Sequence, residues 1–335
     1  MASVMDIIRL PQLIFFFYLS IIASIFRKLF PFFLPNKSCL SFTYLSDFAL
    51  SLYFKFYCGL QSCTINLDDN QTILHFWIPK RHELKKPSLL LIHGFGGNTK
   101  WQYYPQAGSL HQEFNLYVPD LIFFGDSFTV KPDRTDVFQA ECIGEGMKKL
   151  CVDNYSVFGI SYGGYVAYRM ADIFHEEIDK LMIMSSGICF KKDEMVEEVK
   201  KLGNKNVADI LVPEKPEDLR VLINRAMFKP PFWVPDFFLK DFINVMYMNH
   251  RNEKMEMLQN LIHKESDSNS LPVLNQETMI LWGDKDKVFP LYLAFQLERH
   301  LGEKSRVEII KDAGHAANLE SPHLVNHLIR SFLLD

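Results

Sequence analysis

An α/β fold built around a mainly parallel sheet is the class this sequence predicts, and three observations predict it. From about residue 88 onward, strand-like apolar runs alternate with helix-like segments. The runs "SLLLI" (88–92) and "YSVFGI" (155–160) are continuously apolar, as strands covered on both faces are. Both lead directly into glycine-bearing turns, "HGFGG" (93–97) and "SYGG" (161–164). A length of 335 residues suits one large domain or a domain with an insertion.

Residues 10–26 carry no charge, before Arg27 and Lys28 interrupt and "LFPFFLP" resumes. That run falls just short of the ~18–20 residues of a spanning helix. A cleaved signal peptide is disfavoured by Asp6 and by the lack of a small-residue cleavage site. The expectation is therefore a membrane anchor or interfacial segment over 1–35, set against a greasy helix packed on the body. Arg27, Lys28 and Lys37 would favour a cytosol-facing catalytic part on an endomembrane. Residues 36–63 read as an amphipathic helical lead-in, packed on the core in preference to facing a membrane or substrate.

"TINLDDNQTILHFWIP" (64–79) alternates around Asp68-Asp69-Asn70 and predicts a hairpin. Strands follow over the run at 88–97, which ends in the glycine loop, and at 114–122, 155–161, 179–187, 277–286 and 305–315. Helices are expected over 135–150, 163–174, 291–301 and 322–334. Between 187 and 277 the strand rhythm stops, and a helix-like stretch punctuated by prolines takes over. The expected organisation is a core of 64–187 and 277–335 with a helical lid over 188–276. The aromatic and methionine-rich part of that insertion, 227–248, fits two roles equally: its own core, or an apolar acyl pocket.

The chemistry concentrates at Gly159-Ile160-Ser161-Tyr162-Gly163. A G-x-S-x-G between a strand and a helix forms a tight, strained corner that lifts the serine hydroxyl above the sheet. Flanking glycines remove Cβ atoms that would collide there. A serine hydroxyl is a weak nucleophile, so it needs a base, and the base needs an orienting acid. His315, in the loop after the last strand, supplies the base. "WGDKD" supplies the acid as Asp284 or Asp286, and the residues alone do not choose between them. Developing negative charge needs prepared donors. The backbone N–H groups of Phe95 and Tyr162 are the candidates.

Other residues read more plainly. His93 ends a strand and supports the glycine loop. His300, His323 and His327 fall on helices as surface residues. Asp120 shapes a loop beside the pocket, and Asp126 a turn. Ser185 and Ser186 cap a strand end without elbow glycines.

At these residues the chain resembles the α/β-hydrolase family over about 64–335. The resemblance implies an eight-stranded, mostly parallel sheet with helices on both faces, and a lid inserted after the sixth strand. It also implies that the acid of the G-D-x-D turn is the second aspartate, Asp286. An apolar N-terminus followed by H-G-F-G-G is most similar to the membrane-anchored monoacylglycerol lipase-like branch and to related plant hydrolases.

The function expected is that of a serine ester hydrolase on hydrophobic carboxylic esters, acylglycerols among them. Thioesterase and peptidase chemistry would use the same machinery. A ligand receptor that keeps its triad with little turnover is the alternative. The serine at the elbow argues against epoxide hydrolases and dehalogenases, which carry aspartate there. An H-x-x-x-x-D acyltransferase pattern is not met, because the sixth position is Glu320. The net charge of −4 and the absence of a basic block make nucleic acid a poor partner. The six cysteines lack paired spacing, so no metal site, disulfide scaffold or cofactor is expected.

Overall fold

A computed structural model describes residues 41–191, 194, 207–231, 233–263 and 271–334. The anchor expected over 1–35 lies outside these residues. Among the described residues no helix is long and apolar enough to cross a membrane. The chain divides into two units, Met1–Ala49 and Leu50–Asp335. The second carries the sheet, the insertion and the candidate site.

Helix α1 (Phe42–Leu52) runs on into a π-helical turn, Tyr53–Tyr57. In that turn Phe54 is fully buried while Phe56 and Tyr57 are exposed, so the turn itself packs on the core of the second unit through Phe54. Strand β1 (Leu60–Asn66) starts four residues before the expected hairpin boundary at 64. It pairs antiparallel with β2 (Thr72–Pro79) around the turn at Asp68–Asn70, where Asp69 and Asn70 take left-handed backbone angles. Next come β3 (Ser88–Ile92), α2 (Thr99–Leu110), β4 (Asn115–Pro119) and the short β5 (Phe128–Thr129). They are followed by α3 (Asp136–Lys149), β6 (Tyr155–Ile160), α4 (Tyr162–Ile173) and β7 (Ile178–Met184).

The insertion contributes α5 (Val207–Leu211), α6 (Pro216–Ala226), α7 (Asp236–Met246) and α8 (Arg251–His263). The chain then returns as β8 (Glu277–Gly283), α9 (Tyr292–Leu301) and β9 (Ser305–Ile310). It closes with the short α10 (Ala317–Glu320) and α11 (Pro322–Leu334).

The sheet order is β1-β2-β4-β3-β6-β7-β8-β9, with β5 pairing to β2 off that path. The main path has the eight strands expected, and β5 makes a ninth. Pairings from β4 through β9 are parallel, whereas β2 is antiparallel to β1, β4 and β5. Every residue of β3, β4 and β6 is buried, which is why those runs read as unbroken apolar sequence. Two core clusters fill the fold. One contains Leu90, Ile92, Val157 and Val166; the other contains Leu89, Leu91, Phe158 and Ile329. Adjacent residues of β3 and β6 divide between them, so the clusters lie on opposite faces of the sheet.

Helix α3 starts where Thr135 Oγ1 accepts the Phe138 N–H at 3.0 Å. It carries Asp136 in its first turn and Lys148 and Lys149 in its last, a charge order that suits the helix dipole. Helix α2 has no counterpart in the expected elements. Its inward residues include Thr99, Lys100 and Gln106, and Pro105 lies inside it, so apolar periodicity never announces it.

Candidate active site

Ser161 sits at the corner between β6 and α4 with φ 55° and ψ −118°. That backbone region costs about 1–3 kcal/mol for a residue with a Cβ. The corner is fixed by Ser161 N–H donating to Met184 O at 2.9 Å and by Gly164 N–H donating to Ser161 O at 2.9 Å. The glycine requirement is steric. A Cβ at Gly159 would lie 2.3 Å from Gly163 O, and one at Gly163 would lie 2.2 Å from Ile92 O. Both collisions are with main chain, which cannot step aside.

His315 follows β9, and Asp286 follows β8. His315 Nδ1 lies 2.9 Å from Asp286 Oδ2. A carboxylate only accepts, so Nδ1 carries the proton and Nε2 keeps its lone pair. The Asp286 side chain is fully buried, and its Oδ1 accepts the N–H groups of Val288 (2.7 Å) and Phe289 (2.9 Å). Asp284 is arranged differently. Lys285 Nζ donates to it at 2.7 Å, and that hydrogen bond holds its carboxyl below the ordinary value. The geometry thus separates the two aspartates that sequence leaves open. No described hydrogen bond joins Ser161 Oγ to His315. Such contacts are often loose before substrate arrives and tighten with it.

The loop after β3 lies against the serine: a Cβ at Gly94 would be 3.0 Å from Ser161 Cβ. Gln102 on α2 braces this loop. Its Oε1 accepts Gly94 N–H at 2.9 Å and its Nε2 donates to Gly94 O at 2.8 Å. The Gly94 amide is thereby occupied, while Phe95 N–H has no partner among the described residues. The Phe95 ring meets that of Tyr162 edge-on at 5.1 Å, so the two candidate oxyanion residues are in contact. Sequence reasoning missed Gln102; its one signal is a position on the turn of helix that follows the glycine loop.

His93 does support that loop. It is fully buried, its Nδ1–H donates to Gly94 O (2.8 Å), and its Nε2 accepts Leu121 N–H (3.0 Å). Burial lowers its pKa, which suits a neutral ring with one donor and one acceptor.

Several expectations need correction. Asp120 is more than a loop-shaper: it is buried, lies 2.9 Å from His75 Nδ1, and accepts Thr99 N–H at 3.0 Å. The ring of His300 is half-buried against Tyr168 Oη (3.2 Å) and Pro272 O (3.1 Å). The hydroxyls of Ser185 and Ser186 find no partner among the described residues, so they do not cap the strand end.

The insertion has a core of its own, with Leu239, Ile243, Met246 and Tyr247 packed on Ala208, Val212, Leu219 and Leu258. It also reaches the glycine loop. A Cβ at Gly97 would lie 3.7 Å from the Phe242 ring, and one at Gly96 would lie 3.6 Å from Tyr247 Oη. Trp101 meets Phe242 edge-on at 5.2 Å. Trp233 and Phe237 face outward. The segment 227–248 therefore packs internally, as one of its two expected roles requires, and its Phe242 and Tyr247 side chains also lie beside the glycine loop.

Lys254 on α8 is buried, donates to Met246 O (3.0 Å) and Asn249 O (2.8 Å), and lies 4.9 Å from the Phe124 ring centre. Burial pushes its pKa down to about 8. Between about pH 8 and 10.5 the unfolded chain then binds the proton that the folded chain has lost. Stability from this group accordingly rises with pH across that window. We expect the thermal midpoint of wild type relative to Lys254→Met to climb from pH 8 to pH 10, by about 2 kcal/mol in equivalent free energy. A difference that is flat or falling over that range would contradict the assignment.

Against this geometry, comparison with known proteins is decisive for the family. Residues 87–322, more than half of the chain, match the family model described as alpha/beta hydrolase fold. The chain belongs to the alpha/beta hydrolase fold family. Among curated members it is similar to Lipase 3 of Moraxella sp. (strain TA144), 28% identical over 240 residues that cover 70% of this chain and 73% of that one. It is also similar to monoacylglycerol lipase ABHD6 of Homo sapiens, 24% identical over 293 residues and 84% of each chain. Among solved structures, a putative lipase from Acinetobacter baumannii AYE shares the fold, with a TM-score of 0.74, 24% identity and coverage of 86% of this chain and 95% of that one. A membrane phospholipase A shares it at a TM-score of 0.72 and 20% identity, with coverage of 96% and 98%. For this alpha/beta hydrolase, the match spans the strands that carry Ser161, Asp286 and His315.

Proposed function

We propose that this protein is a serine ester hydrolase that cleaves hydrophobic carboxylic esters, with acylglycerols as the favoured class. The observation that carries the reading is the Asp286–His315 hydrogen bond, made by a fully buried carboxylate, at the same strand-end edge as a serine held in a strained corner.

In this mechanism Ser161 Oγ attacks the ester carbonyl as His315 Nε2 takes its proton. Asp286 keeps the His315 tautomer fixed and balances the imidazolium charge. The N–H groups of Phe95 and Tyr162 stabilise the tetrahedral oxyanion, each donor contributing roughly 2.7–4 kcal/mol to the barrier. His315 returns the proton to the departing alcohol, leaving an acyl-serine. A water deprotonated by His315 then releases the acid and restores the serine. No cofactor or metal enters these steps.

The substrate class is supported by the aromatic rings that the insertion lays over the glycine loop, in the role of a lid, and by relatives named as lipases. The test is steady-state turnover of an ester panel running from p-nitrophenyl acetate to long-chain monoacylglycerols, with fluorophosphonate labelling of the active serine. Sustained turnover that improves with acyl length supports the reading. Labelling without sustained turnover of any member would favour a triad-bearing receptor.

Membrane association through residues 1–35 belongs to the same proposal and would bring the catalytic part to a lipid substrate, facing the cytosol at an endomembrane. Deleting residues 1–35 is expected to move the protein from the membrane pellet to the soluble fraction on ultracentrifugation. An unchanged pellet would refute the anchor.

A further inference from the structure

Glu320 lies five residues beyond His315, and its carboxylate fastens two separate parts of the chain together. Glu320 Oε2 accepts the N–H of Gly314 at 2.7 Å and the N–H of Phe228 at 3.1 Å. Glu320 Oε1 accepts the N–H of Lys229 at 2.9 Å. Alongside, Ala316 N–H donates to Ala226 O at 2.8 Å. Residues 226–229 run from the end of α6 toward α7, so they belong to the insertion. The approach is close: a Cβ at Gly314 would lie 2.7 Å from Phe228 N and 2.8 Å from Ala226 O.

These bonds bracket His315. β9 ends at Ile310, so no sheet ladder holds the histidine's main chain. Asp286 grips the ring at Nδ1, but one hydrogen bond leaves the ring free to pivot and its backbone free to shift. The amides on either side of His315 supply the missing constraint, Gly314 through Glu320 and Ala316 through Ala226. Hydrogen bonds to an ionised acceptor are about twice as strong as neutral ones, and here one carboxylate gathers three.

We propose that Glu320 is a positioning residue that couples the insertion to His315, so that the placement of segment 226–229 sets the placement of the catalytic imidazole. This rests on the proposed hydrolase reading, in which His315 is the base. A base displaced by about 1 Å loses rate on the order of 100-fold, so the coupling makes activity depend on the insertion being seated.

The test uses the full-length protein with Glu320→Gln and Lys229→Pro. Glutamine keeps one acceptor oxygen and turns an NH2 group toward main-chain donors. Proline deletes the Lys229 N–H and leaves the bond to Gly314 intact. With a short soluble ester, kcat and the fluorophosphonate labelling rate are expected to fall by about tenfold or more in E320Q, with KM little changed. K229P should lower both in the same sense, acting from the insertion alone. Hydrogen exchange in E320Q should speed up together at Phe228, Lys229 and Gly314. The proposal is overturned if both variants keep kcat and labelling within about twofold of wild type, or if exchange rises at Gly314 with 228–229 unchanged. If E320Q does not fold, K229P decides. If wild type itself resists the fluorophosphonate, the hydrolase reading fails, and the joint exchange change still tests the coupling.

Discussion

Replacing Ser161 with alanine is expected to abolish fluorophosphonate labelling and to lower kcat on a soluble ester by on the order of 10⁶. The size follows from the arrangement. Alanine removes the one nucleophile at the corner and leaves His315 with nothing to deprotonate except water. Because alanine keeps a Cβ at φ 55°, the backbone strain stays and stability should barely change. Glycine at the same position relieves that strain, so Ser161→Gly should be as inactive as alanine yet melt at a higher temperature. Labelling that persists in Ser161→Ala would place the nucleophile elsewhere. A glycine variant that melts below wild type would show that the corner is not strained.

Asp286→Asn is expected to cost about 10⁴ in kcat, whereas Asp284→Asn leaves kcat close to wild type. Asp286 Oδ1 faces two backbone donors, Val288 and Phe289. An asparagine must keep its oxygen there, which turns its NH2 group toward His315 Nδ1. The imidazole then has to offer a lone pair at Nδ1 and carry its proton on Nε2, where it can no longer accept the serine proton. Asp284 pairs with Lys285 and is also held by the Asp312 and Ala313 backbone; no described hydrogen bond joins it to Ser161 or His315, so an asparagine there leaves the His315 tautomer unchanged. Steady-state kinetics on the two variants, with circular dichroism to confirm folding, settle the choice. Equal losses in both would contradict it.

What the sequence discloses is what is local. The corner at Ser161 is legible because a buried strand, two obligatory glycines and a helix start fall within a dozen residues. The strands β3, β6 and β8 are legible because burial on both faces writes itself as unbroken apolar runs. Helix α2 is hidden because its inward face carries Lys100, which donates to Ser51 Oγ, and Gln106, which donates to Asn318 O on α10, rather than an apolar stripe. The His75–Asp120 pair joins residues 45 positions apart, and Glu320 reaches residues more than 90 positions away. Nothing in local composition marks either contact. Asp284 and Asp286 share one tetrapeptide, and only the orientation of each carboxylate tells them apart.

The insertion leaves the sheet after β7 and returns as β8, and these two strands are immediate neighbours paired from Lys180↔Glu277 to Met184↔Leu281. The chain thus leaves and re-enters the sheet at one seam. Such a cassette can be lengthened, shortened or exchanged without re-threading a strand, as long as the main chain at 226–229 still reaches Glu320.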